Sequence, residues 1–227
     1  MTAKLHYFRG RGNSQQARWA LAAAGIPYVS VCLSTAAEFD ALRASKLTFG
    51  QVPMLEDGDS CLSQSLTIVR HAARVGKLYG VSHTDAARVD EIIDGIKDAR
   101  GAIVAYPFSD PREACARHGQ AVQRFFPCFE SILERNAQPP HAVGGSLTIA
   151  DVLLAELCES TQEVFAQTFS EQVADQVLSP YPLLRALHAH VLALPAIVDF
   201  KASANWMPFP VGQVGAEYVR NVRTVLA

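Results

Sequence analysis

Pro53 stands where the chain turns into a strand, and it limits what the first third of this sequence can become. Proline has no N–H to give a sheet ladder, so Val52-Pro53 ahead of Met54-Leu55-Glu56 reads as a turn, built around a cis bond, that feeds a strand. A strand entered this way leaves the backbone N–H and C=O of Val52 unpaired and facing outward, where an extended peptide can add as a further strand. Asp57-Gly58-Asp59 then reads as a tight turn joining Met54–Glu56 to Ser60–Leu62. Leu66, Ile68, Val69, Ala72 and Ala73 follow at helical spacing. Gln64 and Ser65 therefore lie where a helix begins, with free N–H groups and a positive dipole end suited to a carboxylate. The stretch Phe49–Ser65 offers a backbone clamp beside an anion pocket, which suits a small acidic peptide. The same spacing also describes a hairpin followed by an ordinary helix start.

The rest of the chain sorts around this stretch. Lys4–Phe8 reads as a first strand, broken by Gly10 and Gly12. A helix from Gln15, carrying Ala17, Trp19, Ala20, Leu21, Ala23 and Ala24, stops at Gly25. Tyr28–Leu33 reads as a second strand and Ala36–Ala44 as a short helix. The order β-α-β-α-β-β-α fits a mixed sheet with helices on its faces. Gly76–Ser82 reads as a linker, and beyond it the spacing is helical: Asp85–Ala105, Glu113–Arg135, a capping-box start at Thr148–Asp151, then Tyr181–Leu192 and Ala196–Ser203. Asn205–Ala227 is an aromatic-rich tail. The expected division is residues 1–78, a linker at 79–84, and an all-helical domain over 85–227.

Bulk properties narrow the partners. The 227 residues are 49% hydrophobic and 19% charged, enough for a real core. A net charge of -2 argues against nucleic acid or an anionic membrane as a partner. Met1–His6 lacks an apolar signal core, and no apolar run approaches a membrane span. Cys32, Cys61, Cys115, Cys128 and Cys158 show neither C-x-x-C nor metal-ligand spacing, which fits reduced thiols in a cytoplasm. The seven histidines show no metal-like pairing.

Phe49-Gly50-Gln51-Val52-Pro53, followed by Leu62-Ser63-Gln64-Ser65-x-x-Ile68-x-Arg70, resembles the glutathione site of cytosolic glutathione transferases. The likeness is nearest the tyrosine-type classes (pi, sigma, alpha, mu), and Tyr7-Phe8-x-x-Arg11-Gly12 matches their catalytic-tyrosine segment. It implies a thioredoxin-like glutathione-binding domain followed by an all-helical domain. It also implies a cytoplasmic, homodimeric detoxifying enzyme that uses glutathione as co-substrate and no metal. The implied reaction joins the glutathione thiolate to a small hydrophobic electrophile. Non-catalytic glutathione binders and glutathione-dependent isomerases or peroxidases share this pattern, whereas a thiol-disulfide oxidoreductase would need the C-x-x-C that is missing.

Such chemistry needs a thiolate, and a free thiol near pKa 8.5 is mostly protonated at neutral pH. Lowering it by about two units takes roughly 2.7 kcal/mol, which a hydroxyl donating to sulfur helps supply. Tyr7 ends the first strand beside the glycine turn and is the expected donor. Ser14, at the start of the first helix, is the rival, with an N-cap as its structural alternative. Asn13 stands where tyrosine-type members usually have an arginine, so a cation expected beside the sulfur is absent from that position. By resemblance, Gln64 and Ser65 hold the γ-glutamyl carboxylate and Val52, after which Pro53 turns, the cysteinyl backbone, with Gln51 assisting. Lys46, rather than Arg43, is expected at the glycyl carboxylate, and Asp98 is expected to reach the glutathione amine of the partner subunit. Phe49 resembles the aromatic key of the dimer. Phe8, Arg9, Gly10, Val104 and Phe108 would build the electrophile pocket, with Trp206, Met207 and Phe209 closing it.

Overall fold

The computed structural model describes residues 2–136 and 138–227, leaving Met1 and Ala137 outside. It forms two compact units, Met1–Gly76 with Asp199–Ala227, and Lys77–Val198. In the first, β1 (Ala3–Phe8), α1 (Gln15–Ala23), β2 (Tyr28–Leu33), α2 (Ala36–Ser45), β3 (Met54–Asp57), β4 (Ser60–Ser63) and α3 (Ser65–Val75) follow in turn. The strands lie in the order β2-β1-β3-β4, with β1 parallel to β2 and antiparallel to β3. The mixed sheet expected from the element order is therefore present. Val52–Pro53 is cis, and the β1–β3 ladder begins only at His6↔Met54, leaving Val52 beyond its end.

Local chemistry explains the boundaries. Gly25, at φ +66, ends α1: its N–H donates to the Ala22 carbonyl and Ile26 N–H to that of Leu21, the paired closure of a Schellman stop. Thr35 and Glu38 form a capping box at α2. Gln15–Leu21 are buried throughout, so the first seven residues of α1 are enclosed by protein, and α3 lays Ile68, Val69, Ala72 and Ala73 inward.

The second unit is helical: α4 (His83–Ala99), α5 (Gly101–Ala105), α6 (Pro111–Asn136), α7 (Ile149–Thr168), α8 (Glu171–Val177) and α9 (Pro182–Leu192). α7 is its axis, with Ile149–Cys158 buried residue after residue. The Thr148–Asp151 capping box is present: Asp151 accepts from the N–H groups of Ala142 at 2.6 Å and Thr148 at 2.7 Å. Burial pushes the Asp151 carboxyl up, and those donors pull it back. Glu130 on α6 closes the start of α9, accepting from Leu183 N–H at 2.7 Å and Leu184 N–H at 2.9 Å. Burial takes the His118 imidazole down to about 4, helped by the Arg100 charge.

Three differences from the sequence reading stand out. The single helix expected over Asp85–Ala105 breaks after Ala99, where Arg100 turns inward to Glu156. α10 (Pro195–Ala202) matches expectation, but the tail folds into a further helix, α11 (Gly212–Val225). And residues 199–227 group with the sheet rather than with the helices, because Tyr218 and Val225 share a core cluster with Tyr7, Phe8, Leu33, Phe39, Leu47 and Met54. Among the described residues, no single helix is long and apolar enough to cross a membrane.

Candidate functional site

A cleft of about 350 Å³ opens at the Pro53 end of the sheet. Gly50, Gln51, Val52 and Pro53 form one wall and Gln64 with Ser65 another. Phe8, Asn13, Phe39 and Leu226 complete the lining. Gln51, Val52, Pro53, Gln64 and Ser65, selected from sequence as one binding set, thus share one cavity. Gln64 precedes α3 with φ 74 and ψ 122, a backbone state that costs a side-chain residue about 1–3 kcal/mol and is typically held only where the surroundings enforce it. No side chain caps α3, so its first N–H groups are open to an incoming carboxylate. Gln64 Nε2 donates to Gln51 Oε1 at 3.3 Å, linking the two walls.

Tyr7 is 4% exposed, and its hydroxyl oxygen accepts the Asn13 N–H at 3.0 Å. Position 13 therefore serves Tyr7 through its backbone, while its exposed side chain lines the cleft. Ser14 is fully buried and donates its Oγ proton to the Arg11 carbonyl at 2.8 Å. It occupies the N-cap of α1 without making a side-chain cap bond.

Both cations weighed for the glycyl carboxylate have carboxylate partners. Lys46 Nζ sits 2.7 Å from Glu56 Oε1, and this bond raises the lysine and lowers the carboxyl. Glu56 also meets His6 Nε2 at 3.1 Å, and burial holds that imidazole below its ordinary value despite the carboxylate. Neither Lys46 nor Arg43 lines the cleft; Arg43 lies over the Phe39 ring at 5.7 Å and against Gly50 while pairing with Asp40 at 2.8 Å. A further cation was not singled out in the sequence. Arg18 on α1 is fully buried and donates Nη1–H to the Gly10 carbonyl at 2.8 Å. Burial lowers its guanidinium, offset by Tyr28, Cys32, Tyr7 and Tyr218 around it. Its signal was an arginine amid Ala17, Trp19, Ala20 and Leu21 on an otherwise apolar stretch.

The remaining candidates scatter. Arg9 N–H donates to Asn221 Oδ1 at 2.8 Å, and Gly10 packs against the Tyr218 ring, so both face α11. Trp206 packs on Trp19 and Phe200, with the Arg11 guanidinium 4.7 Å above its ring and 5.5 Å from that of Phe209. Arg11 Nε also donates to the Met207 carbonyl at 2.7 Å. These tail residues are absent from the cleft lining, which α11 reaches instead through Leu226 just beyond its end. Asp98, Val104 and Phe108 belong to the second unit, and Phe108 is half exposed. Phe49 is 64% exposed at the cleft's outer edge, next to Gly50. Among the described residues, no cluster of three His, Cys, Asp or Glu side chains is placed to hold a metal ion.

Comparison with known proteins bears on this arrangement. Residues 3–74 match the family model for the glutathione S-transferase N-terminal domain, and residues 97–204 the model for the C-terminal domain. The chain is 34% identical to glutathione S-transferase alpha-4 of Rattus norvegicus, over 98% of this chain and 97% of that protein. It is 32% identical to glutathione S-transferase A1 of Homo sapiens, with 96% of each covered. Among solved structures, the monomeric Na-GST-3, a glutathione S-transferase of the hookworm Necator americanus, superposes with a TM-score of 0.77 at 26% identity, over 92% of this chain and all of that one. The N-terminal model covers the thioredoxin-like sheet part of the first unit, and the C-terminal model covers most of the helical second unit. The chain belongs to the glutathione S-transferase family.

Proposed function

We propose that this protein holds glutathione in the Val52–Ser65 cleft as a thiolate and transfers its sulfur to an apolar electrophile. The observation that carries this reading is the cleft itself: an unladdered Val52, the open start of α3 and the Asn13 turn around one cavity. Val52 would pair with the cysteinyl backbone, and Gln64 and Ser65 with the γ-glutamyl carboxylate. Lys46 and Arg43 are the two cations near the cleft for the glycyl carboxylate, each of which would have to share its present carboxylate partner, Glu56 or Asp40. Tyr7 would donate to sulfur. In the transfer, the sulfur electron pair forms the new C–S bond, the leaving group departs with its bonding pair, and the thiol proton passes to water. Relatives named glutathione S-transferases support the same activity. The five cysteines are free thiols, in keeping with a cytoplasmic setting.

Ser65→Ala is expected to weaken glutathione binding about tenfold, the size of one lost hydrogen bond to a charged group, as read by calorimetry. A wild-type protein that immobilised glutathione fails to retain would sink the whole reading. Retention without ionisation of the sulfur would favour a non-catalytic binder, for which Asn13 in place of a cation is the supporting feature.

A homodimer completes the proposal. Phe49, exposed on its loop, is the key that would enter the partner, an arrangement that gives so large an apolar side chain somewhere to go. Phe49→Ala should then convert a dimer to monomers in sedimentation velocity at micromolar protein. A wild-type monomer, as the hookworm protein is described, would remove this role.

A further inference from the structure

Tyr218 lies 211 residues from Tyr7 in the chain, yet the two hydroxyl oxygens stand 3.5 Å apart in a buried setting. The turn between β1 and α1 is shaped around this meeting. A Cβ at Gly10 would come within 2.4 Å of the Tyr218 ring. One at Gly12, whose φ is +39, would come within 2.3 Å of the Tyr7 hydroxyl and 2.5 Å of that of Tyr218. Asn221, one turn further along α11, fixes the helix here: it accepts from Arg9 N–H and donates to the Leu33 carbonyl, each at 2.8 Å.

We propose that Tyr218 is a positioning residue for Tyr7, donating its hydroxyl proton to the Tyr7 oxygen so that the Tyr7 proton is turned toward the sulfur of bound glutathione. This rests on the reading of Tyr7 as the partner of that sulfur. Burial drives the Tyr218 phenol well above the ordinary tyrosine range, and Tyr7 beside it acts in the same sense, so Tyr218 keeps its proton. The Asn13 N–H already points at the Tyr7 oxygen, leaving Tyr7 one proton to give; Tyr7 itself does not line the cavity, but its neighbour Phe8 and its donor Asn13 do. Two donors on one hydroxyl oxygen polarise its O–H and strengthen the bond that it donates. A 3.5 Å separation is long, and bonds of this kind commonly tighten when substrate enters. Arg18 on α1 is the charged group that acts on the pair, and Tyr28 and Cys32 on β2 stand in turn around Arg18.

The test is an ultraviolet titration of glutathione bound to wild type, Tyr218→Phe and Tyr7→Phe, with rate–pH profiles over the same range. Phenylalanine keeps the ring in the Gly10–Gly12 cradle, so only the hydroxyl is lost. In Tyr218→Phe the bound thiol should titrate about half to one unit higher, and kcat/KM should fall about three- to tenfold below that pKa. The deficit should close as pH rises through it, and affinity for S-methylglutathione, which has no thiol proton, should stay unchanged. An unaltered thiol titration overturns the proposal. So does a lowered one, which would mean that Tyr218 takes the Tyr7 proton in competition with sulfur. Wild-type protein that binds glutathione without ionising it overturns the reading of Tyr7 itself. Ionisation lost in Tyr7→Phe but intact in Tyr218→Phe overturns the role of Tyr218 alone.

Discussion

Tyr7→Phe is expected to lower kcat/KM for glutathione transfer about a hundredfold near neutral pH, the rate equivalent of roughly 2.7 kcal/mol or two pKa units on the bound thiol. The loss should shrink as pH rises toward the ordinary thiol range, because glutathione then ionises without help. Binding should change little, since the contacts expected from Val52, Gln64 and Ser65 are untouched. The fold should survive as well: the ring stays in its cluster with Phe8, Leu33 and Met54, and the Asn13 N–H loses one acceptor, worth about 1 kcal/mol. Ser14→Ala is the matched control. Its hydroxyl is committed to the Arg11 carbonyl, so a comparable loss of thiolate there would move the chemistry to the start of α1 and sink the assignment.

The binding wall was legible in sequence because its physics is local. A proline without an N–H, a turn and a helix start lie within one short stretch, and each constrains the backbone by itself. The surroundings of Tyr7 were not legible. Its second neighbour comes from α11, whose Gly212-Gln213-Val214-Gly215 start and scattered valines have poor intrinsic helix propensity. Packing decides that helix: Gly215 lies so close to Pro210 that a Cβ would come within 2.6 Å of its carbonyl oxygen, and Tyr218 and Val225 enter the core under the sheet. The expected helix over Glu113–Arg135 likewise continues through Pro127, because α6 buries Phe126 and Phe129 on either side of it. The partners of the charged groups depend most on the fold. Asn13 directed attention to a missing side-chain cation, whereas Asn13 meets Tyr7 through its backbone and a fully buried cation, Arg18, lies four residues on from Ser14. Spacing could not reveal that Lys46 spends its charge on Glu56, a partner set by the fold of the hairpin.

Glu156→Gln is expected to destabilise the protein by about 3–5 kcal/mol, the typical cost of removing one partner from a buried ion pair. Arg100 and Glu156 are 4% and 1% exposed and meet through two bonds, Nε to Oε2 at 2.9 Å and Nη2 to Oε1 at 2.7 Å. Ser160 Oγ donates to the same carboxylate at 2.9 Å. Arg100 sits where α4 ends and α5 begins, and Glu156 lies on α7, so the pair fastens a helix break to the axis of the second unit. Glutamine keeps the shape but leaves a desolvated guanidinium without an anion. For a chain of this length that predicts a Tm lower by about 10–15 °C. The transition should be followed by helical circular dichroism, because both tryptophans, Trp19 and Trp206, lie in the first unit and would report on the wrong part. The double variant Arg100→Met, Glu156→Leu removes both charges and should recover most of the loss, as buried pairs replaced by apolar groups commonly do. If the double variant is no better than Glu156→Gln, what matters is the hydrogen-bonded geometry at the α4–α5 break rather than the uncompensated charge. A single variant that melts within a degree or two of wild type would mean that water reaches Arg100, and the pair would then be no more than a contact.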